Sequence, residues 1–146
     1  MLSIRRVKEL IMGENLSDNE AEEVRDGCRA LAEIIFEKWN SERLINIKLL
    51  KIIKNQFILD INSIHGFPHW ERVEKIGSYL AEHTGADKEV VRLFAYLHDS
   101  KRENEDFDFN HGLRASEYIQ TLFTKGLLPI NQKQLDTLKH ACAYHS

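Results

Sequence analysis

The chain has 146 residues, of which 42% are hydrophobic and 29% charged, and its formal net charge is −3. That length suits one domain with a short appendage and can bury a real core, while the slightly acidic balance argues against the basic footprint of a general nucleic-acid binder. Two cysteines, Cys28 and Cys142, cannot build a disulfide framework, and two prolines and seven glycines exclude collagen-like and Pro/Gly-rich disordered classes.

The opening segment MLSIRRVKELIMGENLSDNE starts with basic residues, but Lys8 and Glu9 break its short apolar stretch. It does not read as a signal peptide. The Ile-rich stretch 44–64 is interrupted by Lys48, Lys51, Lys54 and Asp60 and cannot span a membrane. These features predict a cytoplasmic protein without a membrane partner. Ser17 followed by Glu20 forms a capping-box pattern, so a helix is predicted from there to about Asn40. Its stripe is Val24, Cys28, Leu31, Ile35 and Trp39, at helical spacing that predicts one face against a core. A second helix is predicted over 42–62, with Ile45, Leu49, Ile52 or Ile53, Phe57 and Ile61 as its stripe. Composition changes here from acidic to Lys/Ile/Asn-rich. We therefore divide the chain into an N-terminal helical extension, 1–41, and a main domain, 42–146.

The segment from His65 to His69 reads as a turn punctuated by Gly66 and Pro68, and Pro68 can start the next helix. That helix carries Val73, Ile76, and Tyr79 or Leu80, and ends before Gly85. Asp87 can cap a following helix in which Val90, Val91, Phe94 and Leu97 lead to the doublet His98-Asp99. A charged segment, SKRENEDFDFN, separates this from a helix over His111–Phe123, which Gly126 terminates. Asn131 can cap a last helix running to His145. No segment alternates with period two, so the fold class predicted is all-α.

All seven histidines lie from His65 onward. An adjacent His-Asp at a helix end can direct both side chains into one cavity between helices, and helix bundles build metal sites in this way. Imidazole suits transition metals and carboxylate suits hard cations or bridges two ions. The bland alternative for the doublet is a histidine favoured by the helix dipole beside a solvated aspartate. His65, His83 and His140 read as surface or turn residues, Trp39 and Trp70 as core aromatics, and Cys142 as a buried thiol.

Taken together, the HG-x-x-HW-x-RV opening at His65, the HDS-x-R centre at His98 and the HG-x-RA segment at His111 resemble the HD-domain superfamily of metal-dependent phosphohydrolases, most closely a small bacterial subgroup. The resemblance covers roughly Ser63 to Ser146. It implies an HD-like helical bundle behind the N-terminal extension. Residue by residue, it implies that His69, His98 and Asp99 ligate a metal, that Asp99 also serves catalysis, and that His111 and His145 contact a second ion. His140 is a weaker match than His145. Lys101, Arg102 and Arg114 are the nearby cations that would hold a substrate phosphate. One or two ions are implied: Zn, Mn, Fe, Ni or Mg. The partner implied is a small phosphorylated substrate, a nucleotide first. The family pattern ends on a further Asp, and none follows His145, so the resemblance implies a domain lacking its last helices. That predicts an open apolar face at Leu135, Leu138 and Cys142, covered by a homodimer partner or by the extension at Leu31, Ile35 and Trp39. The competing functional class is a degenerate, non-catalytic HD domain that binds a nucleotide or a protein.

Overall fold

The computed structural model describes residues 2–11, 16–41 and 45–145. Among these the chain is all-α, with seven helices and no strand. It divides into two compact units, residues 1–43 and 44–146.

The first unit holds α1 (Ile4–Leu10) and α2 (Asp18–Ser41). Sequence reading assigned no helix to α1; Ser3 caps it by accepting from the Arg6 N–H. The capping box that opens α2 is present: the Ser17 N–H donates to Glu20 at 2.8 Å, and the Glu20 N–H donates to Ser17 Oγ at 3.3 Å. Val24 and Cys28 border an apolar pocket shared with Val7 and Leu10 of α1. The rest of the predicted stripe is not in a core. Leu31, Ile35 and Trp39 are each more than half exposed, because α1 is only seven residues long and reaches only the first part of α2.

The second unit holds α3 (Ile47–Gln56), α4 (Phe67–Thr84), α5 (Lys88–Leu97), α6 (His111–Thr124) and α7 (Gln132–Ala143). The predicted start at residue 42 lies outside the described residues. The predicted end at 62 is corrected to Gln56. Beyond it, Asp60 accepts from the backbone of Asn62 and Ser63, and the Phe67 N–H reaches back to the Ile61 carbonyl at 2.7 Å. Short polar side chains compete with helical hydrogen bonds in this way. Leu49 and Ile53 remain buried on α3, as their spacing predicts.

Helices α4 and α5 form an antiparallel pair. Gly85, at φ +73°, ends α4, and Asp87 caps α5 through the N–H groups of Glu89 and Val90. The predicted face of α4 is also corrected. Ile76, Tyr79 and Leu80 are more than half exposed, whereas Trp70 and Ala81 are buried. The contact is made through a small residue: a Cβ on Gly77 would meet Val91 Cγ1 at 2.7 Å. Bulk in the sequence therefore points to the wrong side of this helix.

Helices α6 and α7 pair likewise, and α7 also packs on α5. Leu135, Leu138 and Cys142 are fully buried in one core with Leu49, Ile53, Leu93, Leu97 and Ile119. The expected open face on the last helix is thus absent: its stripe is covered from within the same unit. Each such aliphatic side chain contributes about 1.5–3 kcal/mol by leaving water. The α6–α7 crossing is tight, since a Cβ on Gly112 would lie 2.3 Å from the Cys142 carbonyl oxygen.

Candidate metal centre

Four segment ends of the second unit meet around Asp99. His65 and His69 come from the turn before α4 and its first residues. His98 and Asp99 close α5. His111 opens α6, and His145 lies two residues beyond α7. The close approach at Gly112 brings the last two together.

Asp99 is buried, with only 3% of its side chain exposed. Its Oδ2 lies 3.0 Å from His65 Nδ1, 3.4 Å from His98 Nε2 and 3.6 Å from His69 Nε2. Its Oδ1 lies 3.3 Å from His111 Nε2, 3.6 Å from His145 Nε2 and 3.5 Å from Arg102 Nη1. The donor atoms of His65, His69 and Asp99 all lie within 4.8 Å of one another, as do those of His98, Asp99 and His145.

The other ring nitrogens explain how these imidazoles are aimed. His98 Nδ1 sits 3.1 Å from the carbonyl oxygens of both Phe94 and Ala95, and His145 Nδ1 sits 2.8 Å from that of Cys142. His111 Nδ1 contacts the Asp108 carbonyl. A carbonyl oxygen only accepts, so in each ring Nδ1 carries the proton. When the ring is neutral, Nε2 then presents a lone pair to the cavity. The lone pairs of His111 and His145 face one another. His111 Nε2 is 3.0 Å from His145 Nε2. Two lone pairs at that distance repel unless a proton or a metal ion lies between or beside them. His69 Nε2 lies 3.2 Å from His98 Nε2, which accepts from it in the His69 tautomer that carries its proton on Nε2.

Electrostatics point the same way. Burial raises the Asp99 carboxyl, but hydrogen bonds to His145 and His98 and the charges of His98 and Arg102 outweigh it and keep the group ionised. Burial lowers His69, reinforced by the neighbouring charge of His98. Burial also lowers His111. For His145, burial is outweighed by Asp99 and the Cys142 carbonyl, and its basicity rises. The centre combines an anionic oxygen ligand with two imidazoles, His69 and His111, that burial shifts toward the neutral form that binds a metal. His65 and His69 retain 25% and 28% exposure against 3–5% for His98, Asp99 and His111, so solvent reaches the cluster from the α4 side.

All five residues that the sequence reading assigned to metal, His69, His98, Asp99, His111 and His145, meet here. His65 was assigned to the turn, and the structure adds it to the cluster. Trp70 pins that turn, its indole donating to the His65 carbonyl at 2.8 Å. The available signal was the four-residue spacing of His65 and His69 across Gly66 and Pro68. His140 is exposed beside Tyr144, and His83 caps its own helix through the Tyr79 carbonyl.

The three cations assigned to phosphate line one pocket, but each makes different contacts. Arg102 is buried against Asp99 and donates to the Asp106 carbonyl at 2.7 Å. Arg114 ties the 101–108 segment together through Asp108 and the Lys101 carbonyl. Lys101 lies over the Tyr118 ring, at 4.5 Å from its centroid, in a pocket that no histidine of the cluster lines.

Comparison of the chain with protein-family models, curated proteins and solved structures gives no match. No helix among the described residues is long and apolar enough to cross a membrane.

Proposed function

We propose that this chain is an HD-type metal-dependent phosphohydrolase acting on a nucleotide or another small phosphate ester. The observation that carries the reading is the convergence of five imidazoles on one buried, ionised carboxylate, with the His111 and His145 lone pairs opposed at 3.0 Å. A cation relieves that repulsion, and the donor set of imidazole nitrogen and carboxylate oxygen fits Zn, Mn, Fe or Ni, with Mg less well served by so many nitrogens. His65, His69 and His98 would serve an ion on the Oδ2 side of Asp99, and His111 and His145 a second on the Oδ1 side. A divalent ion bound there acidifies its water and polarises a phosphoryl oxygen. Asp99 supplies the anionic charge that holds it. The carbonyls of Phe94, Ala95, Asp108 and Cys142 fix the imidazoles in the ligating tautomer. Of the three cations, Arg102 alone touches the cluster, and it is the one we assign to the substrate phosphate. The quarter-exposed His65 and His69 mark the side of entry.

A specific observation favours a second reading. Asp99 is the only carboxylate in the cluster among the described residues. A centre with a single anionic ligand can bind a metal and a nucleotide without turning it over. Metal analysis of the purified protein, with a screen of phosphomonoesters and phosphodiesters, separates the two. Stoichiometric metal with hydrolysis supports the enzyme. Metal with nucleotide binding and no hydrolysis supports the module. Absence of bound metal after reconstitution with each ion refutes both.

A further inference from the structure

The second unit has a pocket of about 400 Å³ between the end of α3, the turn after Asp99 and α6. That volume is in the range of small-molecule sites. Lys101, Arg102, Arg114, Tyr118 and Gln56 line it. Its polar groups are unevenly satisfied. The Gln56 amide nitrogen is committed twice, donating to the carbonyls of Ile53 and Ser100, both at 2.9 Å. This fixes the orientation of the amide, and its Oε1 is left buried with no donor. The Tyr118 hydroxyl is also buried with no partner. A buried polar atom left unpaired is unfavourable, and two on residues that line one pocket invite a ligand that pairs them.

The charges specify that ligand further. Arg102 is committed to Asp99 and the Asp106 carbonyl, and Arg114 to Asp108. Among the described residues Lys101 has no carboxylate within ion-pair distance, and an anion in the pocket would pair with it. Of the two acids bordering the pocket, Glu103 is held by Arg114 at 3.4 Å, and Glu117 is exposed at the rim.

We propose that this pocket binds a small organic anion that also carries an O–H or N–H donor, at a site separate from the histidine cluster. The anionic group pairs with Lys101 Nζ, the donor satisfies Gln56 Oε1, and the Tyr118 hydroxyl takes either role. The site does not depend on a metal. It borders the catalytic reading closely, because the Ser100 carbonyl that orients Gln56 belongs to the residue after Asp99.

The test is a titration of the full chain with ribose 5-phosphate, followed by calorimetry or ligand-observed NMR, with inorganic phosphate and ribose as separate probes. The expected result is saturable binding of ribose 5-phosphate, at least about tenfold tighter than either half alone. Lys101→Met removes the ammonium that lies over Tyr118 and should weaken binding at least about tenfold. Tyr118→Phe removes only the unpartnered hydroxyl, so it should weaken binding while leaving thermal stability equal or higher, a combination that a purely structural role would not give. His98→Ala, which disables the cluster, should leave the affinity unchanged. The proposal is overturned by no saturable binding at about 10 mM, by inorganic phosphate binding as tightly as the ester, or by loss of binding in His98→Ala with Lys101→Met unaffected.

Discussion

Asp99 shows how much one side chain can organise. Its two oxygens contact five imidazoles and a guanidinium, and it takes part in every histidine pair of the cluster. Asp99→Ala leaves Arg102 buried without a counter-ion, which costs about 3–5 kcal/mol. The variant should melt well below the parent and lose its metal. His98→Ala is gentler, because the ring lies past the apolar stripe of α5, stacked on Phe94 at 4.9 Å between centroids and packed against the His145 and His69 rings at 5.1 and 5.2 Å. It should keep its helical circular dichroism while metal affinity falls by more than the ~10–100-fold typical of a lost outer-shell partner. A variant with unchanged metal content by elemental analysis would remove His98 from the ligand set. The two thiols offer an independent check on the core. Cys28 is exposed, whereas Cys142 is buried and its thiol is pushed up, first by burial and then by the charge of Asp99. A thiol reagent should therefore titrate one cysteine in the native protein and two in denaturant.

Among the elements, glycines separate close packing from open space. Gly112→Ala would drive a Cβ to 2.3 Å from the Cys142 carbonyl, on backbone that cannot step aside. It should destabilise by about 1–3 kcal/mol, as over-packing does, and also weaken metal binding by spreading His111 from His145. Gly27→Ala, in the middle of α2 with nothing within 4 Å of the new atom, should stabilise by about 0.5–1 kcal/mol. Thermal melts of the two variants should move in opposite directions. The cap of α5 carries a pH signature. Gln134, first, and the N–H groups of Val90 and Glu89 hold the Asp87 carboxyl below its ordinary range. A group depressed on folding contributes stability that is present above its unfolded value and is lost as pH falls through its folded value. The melting temperature of Asp87→Asn should thus lie below the parent's at neutral pH and converge with it below about pH 4. The elements themselves were legible in the sequence wherever capping and spacing agreed, as at Ser17, Asp87 and Asn131. They were illegible where small residues made the contact. Nothing in the Val73–Leu80 stripe reveals that α4 packs through Gly77 and Ala81, and no local pattern foretells that His65 folds back onto Asp99. Five of the six cluster residues could be picked out by residue type and resemblance, but their convergence depends on two helix crossings that the sequence does not spell out.

At the scale of the molecule, the core of the second unit is drawn from residues between Ile45 and Cys142. Residues 44–146 produced alone should therefore unfold cooperatively and, on the proposed function, bind metal, since all six cluster residues lie within them. Circular dichroism and metal analysis of that fragment test the point, and a fragment without a melting transition would show that the unit depends on residues 1–43. Leu138→Ala, at a fully buried position on α7, should lower stability by about 2–5 kcal/mol in the fragment and in the full chain alike.

The placement of the six residues also dictates an order in time. His65 and Asp99 are 34 residues apart, and His111 and His145 are 34 apart as well. Each span encloses one helical pair, α4 with α5 or α6 with α7, whose contacts are local and close fast. Asp99 belongs to the first pair, and two of its imidazole neighbours belong to the second. Neither pair can assemble the cluster by itself, so the centre comes into being only when α7 docks against α5. During refolding, a spectroscopic signal from cobalt at the centre should lag behind the recovery of helix. The delay between the two would time the docking of one half of the unit onto the other.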